Sequence, residues 1–386
     1  MNREFQTAAA ILAPAALALA SCNSGYSGDS SAQSTETASA MPFEITEVGT
    51  LEEPWAMAFE PGTGKLFITE KAGTMKFVEP ASGKVGTVTG ALPEVDYGGQ
   101  GGFGDIAFAP DYTTSRMLYL SWVEAGEGDT RGPVVGRGKL SCGDGDSCTL
   151  EGLEVIWRQV PKVDGRAHFS HRIAFSPDGA YLFISSGERA KGEPAQDLSN
   201  TLGTVVRLLA DGTPAPGNPF ADQGSPTDQI WSYGHRNLLG LEFDPQGRLW
   251  DVEHGPAGGD ELNLVKPGQN YGWPVVSGGD HYNGDPIPDH PTRPEFAAPA
   301  ISWNPVIAPG NFTFYTGSLF PEWRGDALVT GLRTQVLVRI EFDGETATEA
   351  ARYELEGRLR DIVQGPDGAL WLATDEGKIL KLTPSG

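Results

Sequence analysis

Cysteine, histidine and basic residues are scarce in this 386-residue chain. It has 3 Cys, 6 His and 28 Lys and Arg against 51 Asp and Glu, which gives a formal net charge of −23. Such a chain lacks the basic footprint that nucleic-acid binding requires. An anionic ligand would therefore need a local cluster of Arg. No stretch after the N-terminal segment is apolar and long enough for a transmembrane helix.

Glycine and proline, in contrast, are abundant. The chain has 51 Gly and 29 Pro with modest total charge, a composition that indicates many short strands and many turns. Its length suits one large or two medium domains and is ample to bury a core.

The first 22 residues are predicted to be a lipoprotein signal peptide. Arg3 precedes the apolar run 8–20, which is too short to span a bilayer. Residues 19–22, L-A-S-C, resemble the lipobox of bacterial lipoproteins, which implies cleavage before Cys22 and lipid attachment to its thiol. An ordinary secretory signal with an incidental Cys is the alternative. We therefore expect an exported protein of the periplasm or cell envelope that touches the membrane only through this anchor.

Residues 23–41 are rich in Ser, Gly and Thr and have no periodicity, so we interpret them as a flexible tether. The two other cysteines, Cys142 and Cys148, lie in one short segment. In an exported chain this spacing predicts a small disulfide loop rather than a metal site.

A hairpin unit recurs along residues 42–386. Each copy has an apolar strand, a turn rich in Pro, Asp and Gly, and a second apolar strand. Five turns lie at 59–62, 108–111, 175–179, 243–247 and 365–368, and a degenerate sixth copy spans 326–330 and 336–340. Six such units predict an all-β fold, a six-bladed β-propeller. A β-sandwich array is the alternative, but radial closure fits better because no copy can bury both faces alone.

Residues 99–104 formally match the dinucleotide-binding pattern G-x-G-x-x-G. That motif should open a helix within a βαβ unit, whereas here it leads directly into a predicted strand. We therefore reject a nicotinamide site.

The segment 231–282 carries the most unusual chemistry. Residues 234–237, G-H-R-N, place a cation and an amide just before one predicted strand, and 254–261, H-G-P-A-G-G-D-E, follow the next. A loop so rich in Gly and Pro brings main-chain carbonyls close to a ligand. The pattern predicts an oxygen-lined cation site beside an anion clamp.

Seven motifs occur in an order that resembles the soluble pyrroloquinoline quinone (PQQ)-dependent glucose and aldose sugar dehydrogenases. The resemblance covers about residues 42–384, and the motifs lie at 98–112, 165–175, 196–208, 234–237, 253–263, 270–274 and 358–368. It implies a six-bladed propeller that binds PQQ and calcium at one end of its channel. It also implies oxidation of an aldose at C1 to a lactone.

The resemblance assigns the reacting groups. His168 corresponds to the family's general base, and a neutral imidazole suits that role near neutral pH. His171 is a local competitor, at a position near which the family usually has a small residue. Arg236 and Asn237 resemble the pair that contacts the quinone oxygens, where Arg236 would stabilise developing negative charge. Gln100 resembles a Gln beside substrate and cofactor, with turn capping as its alternative.

Three further arginines are implied in cofactor binding. Arg358 and Arg360 alternate on one predicted strand, so both point to the same face and suit the PQQ carboxylates. A charged edge strand is the alternative. Arg333 stands where the family typically has Lys. Arginine at this position keeps the positive charge and changes the geometry of the contact.

Two calcium sites follow from the same resemblance. One uses the main-chain oxygens of Gly255 and Pro256, which are suitable ligands for a hard cation. The second uses Glu261 and the main chain of Tyr271, although Glu261 equally suits a hydrogen-bonded loop carboxylate. Trp273, Tyr282 and Trp303 are candidates for stacking on the sugar or PQQ, with core packing as the alternative.

Two other functions stay open at this point. A non-catalytic carbohydrate-binding propeller would keep the fold without the chemistry, and a calcium-dependent lactonase would need side-chain carboxylates that converge on the metal. For a dehydrogenase, the electrons leave to an external acceptor, a quinone or a separate cytochrome, because the chain has no C-x-x-C-H haem motif. We expect a monomer.

Overall fold

Short apolar strands joined by polar turns make up most of the chain. The computed structural model describes residues 41–143 and 145–386, and Met41–Gly386 form one compact unit. The predicted signal peptide, its lipobox and most of the tether lie outside the described residues. No helix among the described residues has the length and apolarity needed to cross a membrane.

Strands dominate the described residues, and helices are confined to single turns. The helical segments are α1 (Tyr112–Ser115) and five 3-10 helices at Glu193–Gln196, Ala221–Gln223, Thr227–Gln229, His290–Thr292 and Pro321–Trp323. The strands are β1 (Phe43–Thr50), β2 (Pro54–Phe59), β3 (Leu66–Glu70), β4 (Thr74–Glu79), β5 (Lys84–Gly90), β6 (Phe103–Phe108), β7 (Met117–Ala125), β8 (Arg131–Cys142), β9 (Ser147–Arg158), β10 (Ser170–Phe175), β11 (Leu182–Ser186), β12 (Thr204–Leu208), β13 (Ile230–Tyr233), β14 (Leu238–Phe243), β15 (Leu249–Glu253), β16 (Ala257–Gly258), β17 (Asp260–Leu264), β18 (Gly279–Asp280), β19 (Ile301–Trp303), β20 (Pro309–Phe314), β21 (Ala327–Gly331), β22 (Val336–Asp343), β23 (Thr346–Glu354), β24 (Leu359–Gln364), β25 (Leu370–Thr374) and β26 (Lys378–Pro384).

These strands form six four-stranded antiparallel blades. The blades consist of β2–β5, β6–β9, β10–β13, then β14, β15, β17 and β19, then β20–β23, and finally β24–β26 with β1. The first strands, β2, β6, β10, β14, β20 and β24, each contact the first strands of both neighbouring blades. They therefore form a closed ring around a central channel, and the predicted six-bladed propeller is confirmed.

The two ends of the described chain close the ring. Strand β1 pairs antiparallel with β26, from Phe43 opposite Pro384 to Thr50 opposite Lys378. The last blade therefore combines the first and last strands of the chain. Strands β5 and β9 pair in parallel, which joins the outer edges of the first two blades into one eight-stranded sheet.

The recurrent turns lie where the sequence predicts them, between the first and second strands of five blades. The sixth copy is displaced by one strand. Its segments 326–330 and 336–340 correspond to β21 and β22, the second and third strands of the fifth blade. The first hairpin of that blade has the longer connection 315–326, which contains a 3-10 helix and hides the repeat.

Arg172 closes the channel below the candidate site. It is 3% exposed and lies on β10. Its guanidinium meets one group from each of the other five first strands: Asp105 on β6 (3.1 Å), the Leu239 carbonyl on β14 (2.6 Å), the Gly310 carbonyl on β20 (3.1 Å), Asp361 on β24 (3.2 Å) and the ring of Trp55 on β2 (4.2 Å to the centroid). One side chain therefore ties all six blades together at the channel axis.

The predicted disulfide is confirmed. Cys142 and Cys148 are joined at the end of the β8–β9 hairpin, with their Cα atoms 4.1 Å apart. The bond occupies both sulfurs, so neither is available as a metal ligand.

Candidate functional site

The residues predicted to be functional gather at one end of the propeller. This end is formed by the segments that precede the first strands and those that follow the second strands. Two cavities adjoin there, of about 250 Å³ and 550 Å³, and His254 lines both. The first is lined by Gln100, Asn237, Arg358 and Arg360, and the second by Gly255, Pro256 and Arg333. We call the two together the cleft.

His168 lies in the loop before β10 with φ at +50°, a left-handed conformation that costs free energy for a non-glycine residue. Gln100 holds this loop, because its Oε1 accepts a 2.7 Å hydrogen bond from the His168 main-chain N–H. The imidazole Nδ1 bonds to Glu188. A carboxylate only accepts, so Nδ1 carries the hydrogen and Nε2 is left with a free lone pair.

Glu188 is fixed in turn by its surroundings. Its second carboxylate oxygen accepts a 2.5 Å bond from the Gly192 N–H, and its own N–H donates to the Arg236 carbonyl at 3.0 Å. Burial pushes the pKa of Glu188 up, but the hydrogen bonds from His168 and from the Gly192 N–H act against it, and the pKa is lowered. Glu188 is therefore ionised and able to orient His168.

The pKa of His168 is lowered from its ordinary value of 6.5. Burial is the main cause, the nearby charge of Arg236 adds to it, and the hydrogen bond to Glu188 opposes it. The imidazole is consequently neutral at pH 7, with Nε2 able to accept a proton.

His171 does not compete for this role. It is 1% exposed, its Nδ1 is 2.8 Å from Ser121 Oγ, and its ring stacks on Trp55 at 5.0 Å. Burial lowers its pKa to about 3. The neutral ring forms part of the lining of the smaller cavity.

Arg236 is a buried cation without a carboxylate partner. It is 5% exposed, and within residues 41–143 and 145–386 no carboxylate lies in ion-pair range of its guanidinium. Its Nη1 donates to the His254 carbonyl and its Nη2 to Tyr282 Oη, both at 3.1 Å, whereas its Nε is buried without a partner. An unpaired buried charge is costly, so this arrangement suits an anionic ligand.

A buried polar cluster positions Arg236 from behind. The main-chain N–H of Arg236 donates to Glu253 Oε2 at 2.6 Å, and Glu253 Oε1 is 3.1 Å from His235 Nδ1. His235, Asp251 and Glu253 lie within range of a shared metal ion. Their contacts also account for the fixed backbone of the G-H-R-N segment. Asn237 is buried beside it, and its Oδ1 accepts a 3.3 Å bond from Ser170.

Arg358 and Arg360 share a single carboxylate. Their Nε atoms lie 2.8 Å and 2.7 Å from the two oxygens of Asp375. The strand that carries Arg360, β24, is the innermost strand of its blade, so it is not a charged edge strand. Arg333 is exposed at the larger cavity, and its main-chain N–H donates to the Ile307 carbonyl at 3.3 Å. The cleft thus carries a local excess of positive charge in an acidic protein.

Gly255 and Pro256 present main-chain oxygens that accept no hydrogen bond within the described residues. Asp260 holds this loop, because its carboxylate accepts bonds from the N–H groups of Gly255 at 2.9 Å and Ala308 at 2.6 Å. Burial raises the pKa of Asp260 to about 6, against the lowering effect of these hydrogen bonds. The free carbonyls are suitable for a hard cation.

Glu261 and Tyr271 line a third, narrow cavity of about 10 Å³, enough for one water-sized occupant. Glu261 is hydrogen-bonded to His290 at 3.2 Å. The Asn263 amide nitrogen is shared between Glu261, Glu253 and Asp251, at 3.3, 3.0 and 3.4 Å. The Tyr271 carbonyl accepts no hydrogen bond within the described residues. A cation bound here would reduce the repulsion between the three carboxylates that surround this amide.

The three candidate aromatic residues differ in exposure. Trp303 is 5% exposed and its Nε1 donates to Glu349 at 2.9 Å, so it packs rather than binds. Trp273 is half-buried with its ring 5.1 Å from the Arg236 guanidinium. Tyr282 is 78% exposed and lines the larger cavity.

Three residues of the site, Lys71, Glu188 and Asp375, escaped the sequence analysis, and the repeat contains the signal that finds them. Lys71, Glu188, His254, Arg333 and Asp375 follow the ends of β3, β11, β15, β21 and β25 by one or two residues. Each of those strands is the second of its blade. Aligning the second strands as well as the turns would have predicted that this position faces the site, but only His254 and Arg333 were named from the sequence.

The chain is similar in sequence to proteins of a known family. The sequence profile of the Glucose / Sorbosone dehydrogenase family matches residues 51–381. The aldose sugar dehydrogenase YliI of Escherichia coli is 36% identical over 343 residues, which cover 86% of this chain and 91% of the relative.

Two solved structures are similar over the propeller. A crystal structure of a glucose dehydrogenase has a TM-score of 0.83 and 39% identity, and covers 89% of this chain and 100% of its own. The PQQ-bound form of the aldose sugar dehydrogenase of Streptomyces coelicolor has a TM-score of 0.72 and 30% identity, with 89% and 98% covered. The chain therefore belongs to the glucose/sorbosone dehydrogenase family, a family of oxidoreductases.

Proposed function

We propose that this protein is a PQQ- and calcium-dependent aldose dehydrogenase that oxidises a sugar at C1 to its lactone, with His168 as the general base. One observation carries the proposal. A neutral imidazole oriented by Glu188 lies close enough to Arg236 for the charge of that residue to lower its pKa, and this buried guanidinium has no carboxylate partner within the described residues. A base near an anion-stabilising cation suits the removal of a proton from the C1 hydroxyl together with a hydride from C1.

The cleft fits PQQ, a planar quinone with three carboxylates. Arg333, Arg358 and Arg360 would hold carboxylates, since the two guanidiniums that share Asp375 keep a net positive charge. Arg236 and Asn237 would lie against the quinone oxygens, where the unpartnered Arg236 Nε supports an acceptor. When bound, PQQ supplies the quinone that accepts the hydride from C1.

The residues of the chain supply proton transfer and positioning. His168 Nε2 takes the proton of the C1 hydroxyl, and Glu188 stabilises the imidazolium that results. Arg236 stabilises negative charge that develops next to it, in a buried position where the interaction is strong. Gln100 fixes the loop of His168, because Gln100 Oε1 accepts a hydrogen bond from the His168 main-chain N–H. This positioning role explains why Gln100 lies at the site, and it requires no direct part in the chemistry.

Calcium is proposed at both predicted positions. The free main-chain oxygens of Gly255 and Pro256 would bind the ion that acts at the cofactor, as a Lewis acid. Glu261 and the Tyr271 carbonyl would bind a second, structural ion in the narrow cavity beside Glu253.

We propose further that the protein is exported and anchored through a lipid on Cys22, in the periplasm or cell envelope, as a monomer. The signal-like N-terminus supports export, and the disulfide agrees with an oxidising compartment. Electrons would pass to an external quinone or a separate cytochrome.

The alternatives are less consistent with the site. A purely carbohydrate-binding propeller has no need for the His168–Glu188 pair. A calcium-dependent lactonase needs carboxylates that converge on a metal at the channel centre, but Asp105 and Asp361 are bound there to Arg172.

The test is replacement of the proposed base. His168→Gln, loaded with PQQ and calcium, should lose dye-linked aldose oxidation by about 100-fold or more while PQQ affinity is retained. His281→Gln, at an exposed position, is the matched control and should keep its rate. Full activity of His168→Gln would refute the assignment of the base.

A further inference from the structure

Tyr282 is exposed and yet fixed in place. At 78%, its exposure is the highest of any large hydrophobic side chain in residues 41–143 and 145–386. Its hydroxyl nevertheless accepts a 3.1 Å hydrogen bond from Arg236 Nη2, and its ring lies 5.9 Å from the same guanidinium. The polar tip is therefore anchored while most of the ring faces solvent, an orientation that water alone does not favour.

The backbone that carries Tyr282 is also held. Strand β18, which ends two residues earlier, pairs with β16, so that Gly279 lies opposite Gly258 and Asp280 opposite Ala257. Asn304 Nδ2 donates to the Gly278 carbonyl at 3.0 Å. The loop is thus attached to the segment that follows Gly255 and Pro256.

A chain of hydrogen bonds connects Tyr282 to the proposed base through Arg236. On one side, its side chain bonds to the Tyr282 hydroxyl. On the other, its carbonyl accepts the Glu188 N–H at 3.0 Å, and Glu188 bonds to His168. Tyr282 therefore contacts the side chain of the residue whose main chain supports the partner of the base, and it lines the larger cavity of the cleft.

We propose that Tyr282 forms the aromatic wall of the sugar subsite, against which the C–H face of a pyranose packs, and that it thereby determines specificity for cyclic aldoses. This rests on the proposed function. The larger cavity offers apolar neighbours to the Tyr282 ring, namely Pro256, Ala257, Pro305, Val306 and Ala308. A tyrosine ring buries apolar sugar surface and keeps its hydroxyl on a hydrogen bond.

The experiment measures sugar binding without turnover. Protein loaded with PQQ and calcium is titrated calorimetrically with 1,5-anhydro-D-glucitol, a pyranose that lacks the anomeric hydroxyl. Tyr282→Ala should weaken its binding, and raise KM for D-glucose, about tenfold. Tyr282→Phe keeps the ring, so its affinity for the sugar and its KM for D-glucose should both stay within about twofold of the wild-type values. Leu319→Ala, an exposed apolar position elsewhere, is the control for unspecific loss of surface.

Equal affinity of Tyr282→Ala and wild type for the sugar would overturn the inference. A loss of PQQ affinity in Tyr282→Ala, followed by the absorbance of the bound cofactor, would overturn it in favour of a cofactor contact. Wild-type protein that binds PQQ but oxidises no aldose would overturn the proposed function itself, and this inference with it. Unchanged melting temperatures of all variants verify that folding is retained.

Discussion

At the residue scale, the site depends on pairs in which one group sets the state of the other. Glu188 fixes the tautomer of His168, and Glu253 fixes the backbone of Arg236. Asp375 neutralises only one of the two guanidiniums of Arg358 and Arg360. The result is a neutral base and several uncompensated cations in a protein with a net charge of −23.

Glu188→Gln should lower kcat by about 10- to 100-fold with little change in KM. The pKa of His168 lies below 6.5 because of burial, and the hydrogen bond that His168 donates to Glu188 opposes this and raises the pKa. Without the carboxylate this pKa falls further. The acidic limb of the pH–rate profile should therefore lie below pH 6.5 in wild type and move to still lower pH in the variant.

Glu188→Asp keeps the charge and should restore part of the rate. A variant profile that coincides with that of wild type would contradict the role of Glu188.

Arg358→Gln and Arg360→Gln should each weaken PQQ binding about tenfold or more, because each removes a charge-assisted contact to a carboxylate. Calcium-loaded protein titrated with PQQ at low and at high salt gives the affinities. Arg352→Gln, in an exposed ion pair with Glu349, is the matched control. Equal affinities for all three variants would show that Arg358 and Arg360 do not hold the cofactor.

At the element scale, Arg172 on β10 connects its own strand to the first strands of the other five blades. Its removal would leave Asp105 and Asp361 buried without this cation. Breaking a buried ion pair from one side typically costs about 3–5 kcal/mol. Arg172→Met should lower the free energy of unfolding by about this amount at pH 7. The matched control Arg352→Met should cost less than about 1 kcal/mol.

The loss in Arg172→Met should depend on pH. Burial already raises the pKa of Asp361 to about 6, and without Arg172 it rises further. A carboxyl whose folded pKa is raised binds its proton more tightly in the folded state, so the variant regains stability as the pH falls from 7 to 5. Denaturant unfolding at both pH values provides the check, and a deficit that grows on acidification would contradict this explanation.

The turns and the order of motifs made the fold predictable from sequence. The contacts between blades could not be predicted in this way. Pro, Asp and Gly mark five hairpins, and the 12-residue connection 315–326 obscured the sixth. His168, Arg236 and Arg358 each precede or begin a first strand, so their convergence follows from radial closure. Glu188 and Arg172 were missed because their partners lie on other segments, at positions that depend on how the strands align.

At the scale of the whole molecule, the ring is closed by the pairing of β1 with β26. A protein that begins at Met41 keeps β1, whereas one that begins at Leu51 lacks it and exposes the edge of β26. The longer form should melt cooperatively and bind PQQ. The shorter form should melt at a lower temperature or aggregate, as seen by circular dichroism and size-exclusion chromatography. Equal melting temperatures would contradict a structural role for this closure.

The central claim is that the cleft binds PQQ and passes it electrons from an aldose. The most direct measurement is a titration of the calcium-loaded protein with PQQ, followed by absorbance, with D-glucose added at the end. We expect saturation at one PQQ per chain, reduction of the bound cofactor on addition of the sugar, and weaker binding after calcium is removed by chelation. Absence of PQQ binding, or bound PQQ that no aldose reduces, would contradict the account.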